Sequence, residues 1–122
     1  MHKYLPLLLF IGLGFLSCEK SPIIESKKAI NLLNNNEYYF LDVRTEIEHD
    51  NKSISDTECI PVQEIEKRIG ELKKFKDKKI IVYCRSGNRS RVATKILNEN
   101  GFNAYNLNGG INEWEGKVEA GK

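Results

Sequence analysis

One run of residues, 79–90, most constrains what this chain can fold into. Residues 79–83 form a short, β-branched and mostly apolar segment, as expected of a strand buried on both faces of a parallel sheet. This segment runs directly into Cys84 and a loop that contains Gly87, and a helix is predicted to begin near Ser90. Strand, tight loop and helix together are typical of an α/β sheet, in which ligands bind at the carboxyl ends of the strands.

The rest of the chain alternates between strand-like and helix-like segments. Runs with β propensity at 22–24, 38–41, 59–60 and 104–107 join 79–83 as the predicted strands. Helices are predicted after an N-cap at Ser26, from Pro61 at a first helical position, from about Ser90 to Gly101, and over 111–118. Residues 45–57 are polar and are predicted to hold at most one helical turn. This order predicts a mostly parallel α/β sheet with helices on both faces.

Length and charge limit the number of domains and the kinds of partner. The 122 residues suit one domain with one core. The 19 basic and 17 acidic residues leave a formal charge of +2, so the sequence gives no broad electrostatic reason to expect nucleic acid as a partner. Any site for an anion must therefore be local and built from a few residues.

The N-terminal segment is typical of an export signal. His2 and Lys3 precede an apolar run at 4–16, whose 13 residues are fewer than the roughly 20 that cross a bilayer as a helix. Ser17 and Cys18 follow this run, as they do at the end of a bacterial lipoprotein signal.

The domain layout follows from this signal. We expect residues 1–17 to be removed before Cys18, a lipid to be attached to Cys18, residues 18–21 to form a short tether and residues 22–118 to form the folded domain. The protein is then exported to the periplasm or cell envelope and held by its lipid at a bacterial membrane. Phe15 departs from the lipoprotein pattern, which usually has Leu there. Cleavage without a lipid and no cleavage therefore stay open as alternatives.

Cys84 is the strongest candidate for a reactive residue. A thiolate between the end of a buried strand and the start of a helix is surrounded by backbone amides and by the positive end of the helix dipole, and both favour negative charge. Arg85 and Arg89 are expected to lower the pKa of the thiol further. Gly87 can adopt backbone angles that let the loop curl around a ligand. The sequence predicts a nucleophilic cysteine inside a cup for a small anion.

The histidines and the other cysteines argue against two further kinds of site. His2 leaves with the predicted signal, and His49 lies in a polar segment, where we interpret it as a surface side chain. Cys84 must therefore be activated electrostatically, without a histidine base. His49, Cys59 and Cys84 do not make up the four ligands of a structural zinc site, so no metal or cofactor is expected. A Cys59–Cys84 disulfide is conceivable in an oxidising compartment, although the position of Cys59 is more typical of a core residue.

Four segments of the chain form a recognisable series. They are Leu41-Asp42-Val43-Arg44-Thr45-Glu46, Ile60-Pro61, Ile81-Val82-Tyr83-Cys84-Arg85-Ser86-Gly87-Asn88-Arg89-Ser90, and Tyr105-Asn106-Leu107-Asn108-Gly109-Gly110-Ile111 with Trp114. In this order and at these separations they resemble the rhodanese family, over about residues 22–114. The resemblance implies a rhodanese-like, doubly wound domain with a mostly parallel five-stranded sheet.

The resemblance also implies a function. Rhodanese-type sulfurtransferases move sulfane sulfur from thiosulfate or a persulfide donor to a thiol or cyanide acceptor through a cysteine persulfide. On the matching positions Cys84 is the nucleophile, and the substrate is held by Arg85, Ser86, Gly87, Asn88, Arg89 and Ser90. Arg85 is the side chain expected to meet the anionic group of the donor. Asp42 and Arg44 are expected to support the loop.

Two other functions stay open at this point. Cysteine phosphatases and arsenate reductases also hold an anion between a loop cysteine and an arginine, but with five residues between the two and usually a histidine before the cysteine. Here four residues separate Cys84 from Arg89, and Tyr83 precedes the cysteine. Rhodanese-like domains also serve as non-catalytic binding modules, which have usually lost the cysteine. The chain departs from the family at 52–54, where Gly-His-Ile is common, and at 56–59.

Replacing Cys18 with serine tests the predicted lipid anchor. In bacteria fed a radioactive fatty acid, we expect the wild-type chain to become labelled and Cys18→Ser to stay unlabelled, because the lipid is attached through this cysteine. Cys59→Ser is the matched control and should be labelled like the wild type. Label that does not depend on Cys18 would contradict the prediction.

Overall fold

Seven short strands build the fold in the computed structural model, which describes residues 21–121. They are β1 (Ile23–Ile24), β2 (Tyr38–Asp42), β3 (Ser53–Ile54), β4 (Glu58–Cys59), β5 (Lys79–Tyr83), β6 (Asn103–Leu107) and β7 (Val118–Glu119). Five of them form one parallel sheet in the order β1-β6-β5-β2-β4, and β3 pairs with β7 in a separate antiparallel pair. The predicted α/β fold with a mostly parallel five-stranded sheet is confirmed.

Helices lie on both faces of this sheet. The α-helices are α1 (Ser26–Ala29), α2 (Glu46–Asn51), α3 (Ile65–Arg68) and α4 (Asn88–Glu99), and 3₁₀ turns cover Ile30–Leu32, Val62–Glu64, Ile69–Phe75 and Gly110–Glu113. Central strand β5 shows why both faces need cover, because its side chains alternate between two cores. Ile80 and Val82 pack in a core with residues of α3 and α4, whereas Ile81 and Tyr83 pack in a second core with Trp114.

Three helix starts differ from their predictions. Glu25, not Ser26, is the N-cap of α1, and the hydroxyl of Ser26 instead donates to the carbonyl of Glu113. Pro61 is an N-cap rather than a first helical residue, and the segment after it is mostly 3₁₀ helix around one α-helical turn. Helix α4 begins at Asn88, two residues before the predicted start. Among the apolar residues predicted to face the core in these segments, Ala29, Ile65, Leu72, Ala93 and Leu97 are buried, whereas Val92 of α4 is 46% exposed and that prediction was wrong.

The polar segment after β2 holds more structure than predicted. Helix α2 has six residues, and its N-cap Thr45 forms a capping box with Glu48, in which each side chain accepts a hydrogen bond from the other residue's backbone amide. The interpretation of His49 as a surface side chain was wrong. His49 is only 7% exposed and its Nδ1 lies 2.9 Å from a carboxylate oxygen of Asp42. A buried carboxylate is stable only with hydrogen-bonding partners, and His49 is one of them. Because His49 and Asp42 lie in different elements, this contact cannot be read from a local sequence pattern.

The predicted helix over 111–118 was also wrong. Only one 3₁₀ turn, Gly110–Glu113, is present, and the chain then extends into β7, where Val118 pairs with Ile54. The backbone amide and carbonyl groups of β3 need hydrogen-bond partners, and the extended chain of β7 supplies them. Trp114 nevertheless packs as predicted, edge-on against Phe40.

Cys59 and Cys84 are both free thiols. Cys59 pairs in register with Asp42, and Asp42 pairs on its other side with Tyr83, so two strand spacings separate Cys59 from the end of β5. That is roughly 10 Å, whereas bridged cysteines have Cα atoms within about 7 Å. A disulfide between these cysteines is therefore excluded in this arrangement.

The predicted signal peptide, the lipidation of Cys18 and most of the tether at 18–21 lie outside the described residues. Within 21–121, no helix is long and apolar enough to span a membrane.

Arg44→Met is expected to lower the free energy of unfolding by about 3 kcal/mol, because the carboxylate of Asp42, which is fully buried, would lose its guanidinium partner. Urea unfolding followed by circular dichroism measures the change. The double variant Asp42→Asn/Arg44→Met should be more stable than the single variant, since it buries no unpaired charge. Equal stability of Arg44→Met and the wild type would contradict this account of the buried pair.

Candidate active site

Cys84 lies at the carboxyl end of the central strand, directly after Tyr83 of β5. It is 1% exposed and faces the core that α4 covers. Its carbonyl oxygen accepts a hydrogen bond of 2.9 Å from the amide of Ile111, so the chain after β6 crosses over the start of the loop. Cys84 therefore lies where it was predicted, between the end of a buried strand and the start of a helix.

The loop aims several hydrogen-bond donors at the sulfur of Cys84. The amide of Gly87 lies 3.1 Å from Sγ, the amide of Ser90 lies 3.4 Å from it and the hydroxyl of Ser90 lies 3.3 Å from it. Burial acts to raise the pKa of the thiol, but the Ser90 hydroxyl and the amides of Ser90, Gly87 and Ser86 together lower it below its usual value. The sulfur is therefore prepared to carry negative charge without a histidine base.

Asn106 of β6 positions the hydroxyl that contacts the sulfur. Its Nδ2 donates to the carbonyl of Gly87 at 3.1 Å, which turns Oδ1 toward Ser90, and Oγ of Ser90 lies 2.6 Å from that Oδ1. The single proton of Ser90 thus has two acceptors, the amide oxygen of Asn106 and the sulfur of Cys84. Asn106 lies in the last of the four segments recognised in the sequence, and no role in the site was predicted for it.

Two glycines are needed for the shape of the loop. Gly87 has φ +115°, a left-handed conformation that side chains disfavour, and it is the N-cap of α4. Gly110 has φ +58° and sits against the loop, where an added Cβ would lie 2.5 Å from the carbonyl oxygen of Cys84 and would also collide with the carbonyl of Arg85. The second glycine therefore lets the chain after β6 close tightly over the cysteine.

The two arginines of the loop are paired with a carboxylate that the sequence analysis did not single out. Glu48 of α2 contacts Arg89 at 2.8 and 3.0 Å and Arg85 at 3.1 Å. The hydrogen bonds from Arg89 to Glu48 are the main reason that the pKa of Arg89 is raised. The negative charge of a Cys84 thiolate raises it further, so Arg89 also interacts electrostatically with the sulfur. The sequence did contain one signal for Glu48, the capping-box spacing Thr45-x-x-Glu48.

The remaining loop residues are more exposed. Ser86 and Asn88 are exposed, and Asn88 is the first residue of α4. Arg85 points outward, with 63% of its side chain exposed, and it borders a cavity of about 330 Å³ between the start of the loop, α2 and the turn at Ile111, which we call the mouth cavity. The residues that line this cavity are Arg44, Glu48, Asn51, Lys52, Arg85, Ile111 and Asn112. Three of the seven are basic and one is acidic, and two of the basic residues already have carboxylate partners, Arg44 with Asp42 and Arg85 with Glu48.

Asp42 and Arg44 lie at the end of β2 and reach the loop through α2. Arg44 donates to both carboxylate oxygens of Asp42 at 2.7 to 3.2 Å, and its Nη2 donates to the carbonyl of Lys52 at 2.6 Å. Asp42 also contacts His49. His49 lies in the C-terminal half of α2 and Lys52 is its C-cap, so these bonds fix the C-terminal half of the helix that carries Glu48. The support that the two residues give to the loop is therefore indirect.

One cluster of these residues has the composition of a metal site. A carboxylate oxygen of Asp42, a ring nitrogen of His49 and the sulfur of Cys59 lie within 4.8 Å of one another. The guanidinium of Arg44 already occupies the carboxylate, and burial, with Asp42 and Glu46, raises the pKa of the Cys59 thiol to about 12. A positive charge and a protonated thiol make this cluster a poor fit for a divalent cation.

Ser90→Ala is expected to raise the pKa of Cys84, because it removes the hydroxyl that contacts the sulfur. The rate of alkylation by iodoacetamide, measured against pH, should rise at a higher midpoint, and the rate at pH 7 should fall with the thiolate fraction. Ser86→Ala is the matched control, since Ser86 contributes through its backbone amide, which alanine keeps. Identical midpoints for Ser90→Ala and Ser86→Ala would contradict the role of the hydroxyl.

Comparisons with known proteins agree on the family. A sequence profile of the rhodanese-like domain matches residues 25–117. A sulfurtransferase of Allochromatium vinosum is 37% identical over 75 residues, or 61% of this chain and 68% of that protein. The structure of a rhodanese-related protein from Thermoplasma volcanium is similar with a TM-score of 0.73 and 31% identity, over 80% of this chain and 97% of that one. A thiosulfate sulfurtransferase from Pseudomonas aeruginosa has a TM-score of 0.75 and 26% identity, over 84% of this chain and 21% of that one. The chain belongs to the rhodanese-like domain family.

Proposed function

We propose that this protein is a sulfurtransferase that moves sulfane sulfur from thiosulfate or a persulfide donor to a thiol or cyanide acceptor through a persulfide on Cys84. The observation that carries the proposal is the set of donors aimed at one sulfur atom. Two amides and one hydroxyl lie within 3.4 Å of Sγ, and they lower the pKa of the thiol although it is buried. Membership of a family with relatives named as sulfurtransferases supports the same activity.

The proposed reaction has two displacements at sulfur. The Cys84 thiolate attacks the outer sulfur of thiosulfate, a sulfur–sulfur bond forms, and the original bond breaks so that sulfite leaves with the bonding electrons. The product on the enzyme is a persulfide that carries the negative charge on its outer sulfur. An acceptor thiolate or cyanide then attacks that outer sulfur, and Cys84 leaves as the thiolate that began the cycle. No oxidant is consumed, and the donors around Sγ stabilise the charge at both stages.

The geometry of the loop suits sulfur better than a phosphoryl group. Gly87 and Ser90 donate their amides to the single atom Sγ, whereas a tetrahedral oxyanion needs a ring of donors around a wider space. The short spacing between Cys84 and Arg89 has the same consequence. Retention of Cys84 in a complete loop likewise favours catalysis over a purely binding role.

The proposal includes a location that rests on sequence alone. The apolar run at 4–16 and Cys18 support export and a lipid anchor, with the domain beginning at about residue 22. A tether as short as 18–21 would keep the active site near a membrane surface, where it would meet small diffusible donors and acceptors.

Intact mass spectrometry after incubation with thiosulfate tests the proposed function. The wild-type protein is expected to gain one sulfur atom, about 32 daltons, and to lose it again on addition of cyanide or a thiol. Cys84→Ser should gain nothing, because it lacks the nucleophile. Cys59→Ser is the matched control and should gain the sulfur as the wild type does.

Two results, one in this experiment and one in a phosphatase assay, would decide against the proposal. If the wild type gains no sulfur from thiosulfate or from an organic persulfide, the loop binds anions without transferring sulfur, and the binding-module reading is favoured. Hydrolysis of an aryl phosphate that is lost in Cys84→Ser would instead indicate a phosphatase.

A further inference from the structure

The carboxylate of Glu48 joins the two arginines of the active-site loop. Arg89 donates from Nη1 to Oε1 at 2.8 Å and from Nη2 to Oε2 at 3.0 Å, and Arg85 donates from Nη2 to Oε2 at 3.1 Å. The side chain of Glu48 is 18% exposed. Arg89 first, with further help from Thr45 and Arg85, holds the pKa of Glu48 well below its usual range, so the carboxylate stays charged at neutral pH. The two parallel hydrogen bonds between Arg89 and Glu48 fix the orientation of both side chains.

Glu48 changes the charge that an incoming donor meets. Two arginines and one carboxylate leave one net positive charge beside Cys84 instead of two. Arg85 is the more exposed arginine, at 63% against 37% for Arg89, and it lines the mouth cavity together with Glu48. An anionic group that reaches Arg85 therefore also comes close to the carboxylate, and the repulsion between them grows with the charge of the donor.

We propose that Glu48 is a specificity-determining residue, which weakens the binding of strongly anionic sulfur donors at Arg85 and so favours donors with less negative charge. This inference rests on the proposed sulfurtransferase function and assigns a donor class to the same site. A dianion such as thiosulfate is disfavoured more than an organic persulfide whose sulfur-bearing end has a single charge. Thiosulfate then reacts with the wild-type protein, but with a raised KM.

The charge of Glu48 can be separated from its structural role. Glu48 closes the capping box of α2, in which Oε1 accepts hydrogen bonds from the amide of Thr45 at 3.0 Å and from its hydroxyl at 3.1 Å. Glutamine serves at this position of a capping box as well as glutamate does. Glu48→Gln therefore keeps the start of the helix and removes the charge between the arginines, together with the Oε2 acceptor that both arginines use.

The charge selectivity of Cys84 alkylation tests the proposal. Iodoacetate is an anion and iodoacetamide is a neutral reagent of similar size, so the ratio of their rate constants reports the field at the sulfur. Glu48→Gln is expected to raise this ratio roughly three- to tenfold over the wild type, because one negative charge is removed at short range. The KM for thiosulfate should fall by a similar factor, with little change in kcat.

Three control variants isolate the charge of Glu48. Glu46→Gln removes the same charge from an exposed residue of α2 and should leave the ratio unchanged. Thr45→Ala weakens the cap but keeps the carboxylate, so it should lower the melting temperature without changing the ratio. Glu48→Asp keeps the charge and should keep a ratio near that of the wild type. Circular dichroism confirms that each variant is folded.

The proposal is overturned if Glu48→Gln leaves the ratio unchanged, if Glu46→Gln raises it equally, or if Glu48→Asp raises it as much as Glu48→Gln. Alkylation needs only a nucleophilic Cys84, so the test does not depend on sulfur transfer. A wild-type protein that forms no persulfide but shows the shift in selectivity would defeat the proposed function and still support the role of Glu48.

Discussion

The structure depends on lowering the pKa of a thiol that is buried at the end of the central strand. Cys84 is 1% exposed, and burial alone would hold its thiol protonated and unreactive. The amides of Gly87 and Ser90 and the hydroxyl of Ser90 offset that penalty. Much of the local fold follows from this demand. Gly87 takes a left-handed conformation, α4 begins directly after it, and Gly110 allows the following chain to lie against the loop.

A series of hydrogen bonds and ion pairs connects the end of β2 to the same loop. Arg44 and His49 satisfy the buried carboxylate of Asp42, and Arg44 also donates to the carbonyl of Lys52, so that the C-terminal half of α2 is fixed to the end of β2. Helix α2 in turn presents Glu48 to the loop arginines. The strand end, the helix and the loop thus form one continuous polar network. Its buried part, Asp42 with Arg44 and His49, is favourable because each buried polar group has a partner.

The sequence predicted the features that depend on local pattern and missed those that depend on tertiary partners. The apolar run before Cys84 and the glycine after it identified the central strand and the loop, and the five parallel strands were correct. His49 was misjudged because its burial comes from Asp42, a contact between separate elements. The helix over 111–118 was misjudged because β3 needs a partner strand, which Val118 and Glu119 supply. Arg85 and Arg89 were expected to act freely on the sulfur, and only the fold shows Glu48 between them.

In the proposed reaction, the loop holds the transferred sulfur atom by its amides and the Ser90 hydroxyl. A crystal structure of the protein frozen after reaction with a sulfane donor would show where that sulfur lies. We expect one additional sulfur atom bonded to Sγ of Cys84 and lying within hydrogen-bonding distance of amides in the loop. An additional sulfur that points away from these donors, or a donor bound in the mouth cavity beside an unmodified Cys84, would rule out this role of the loop.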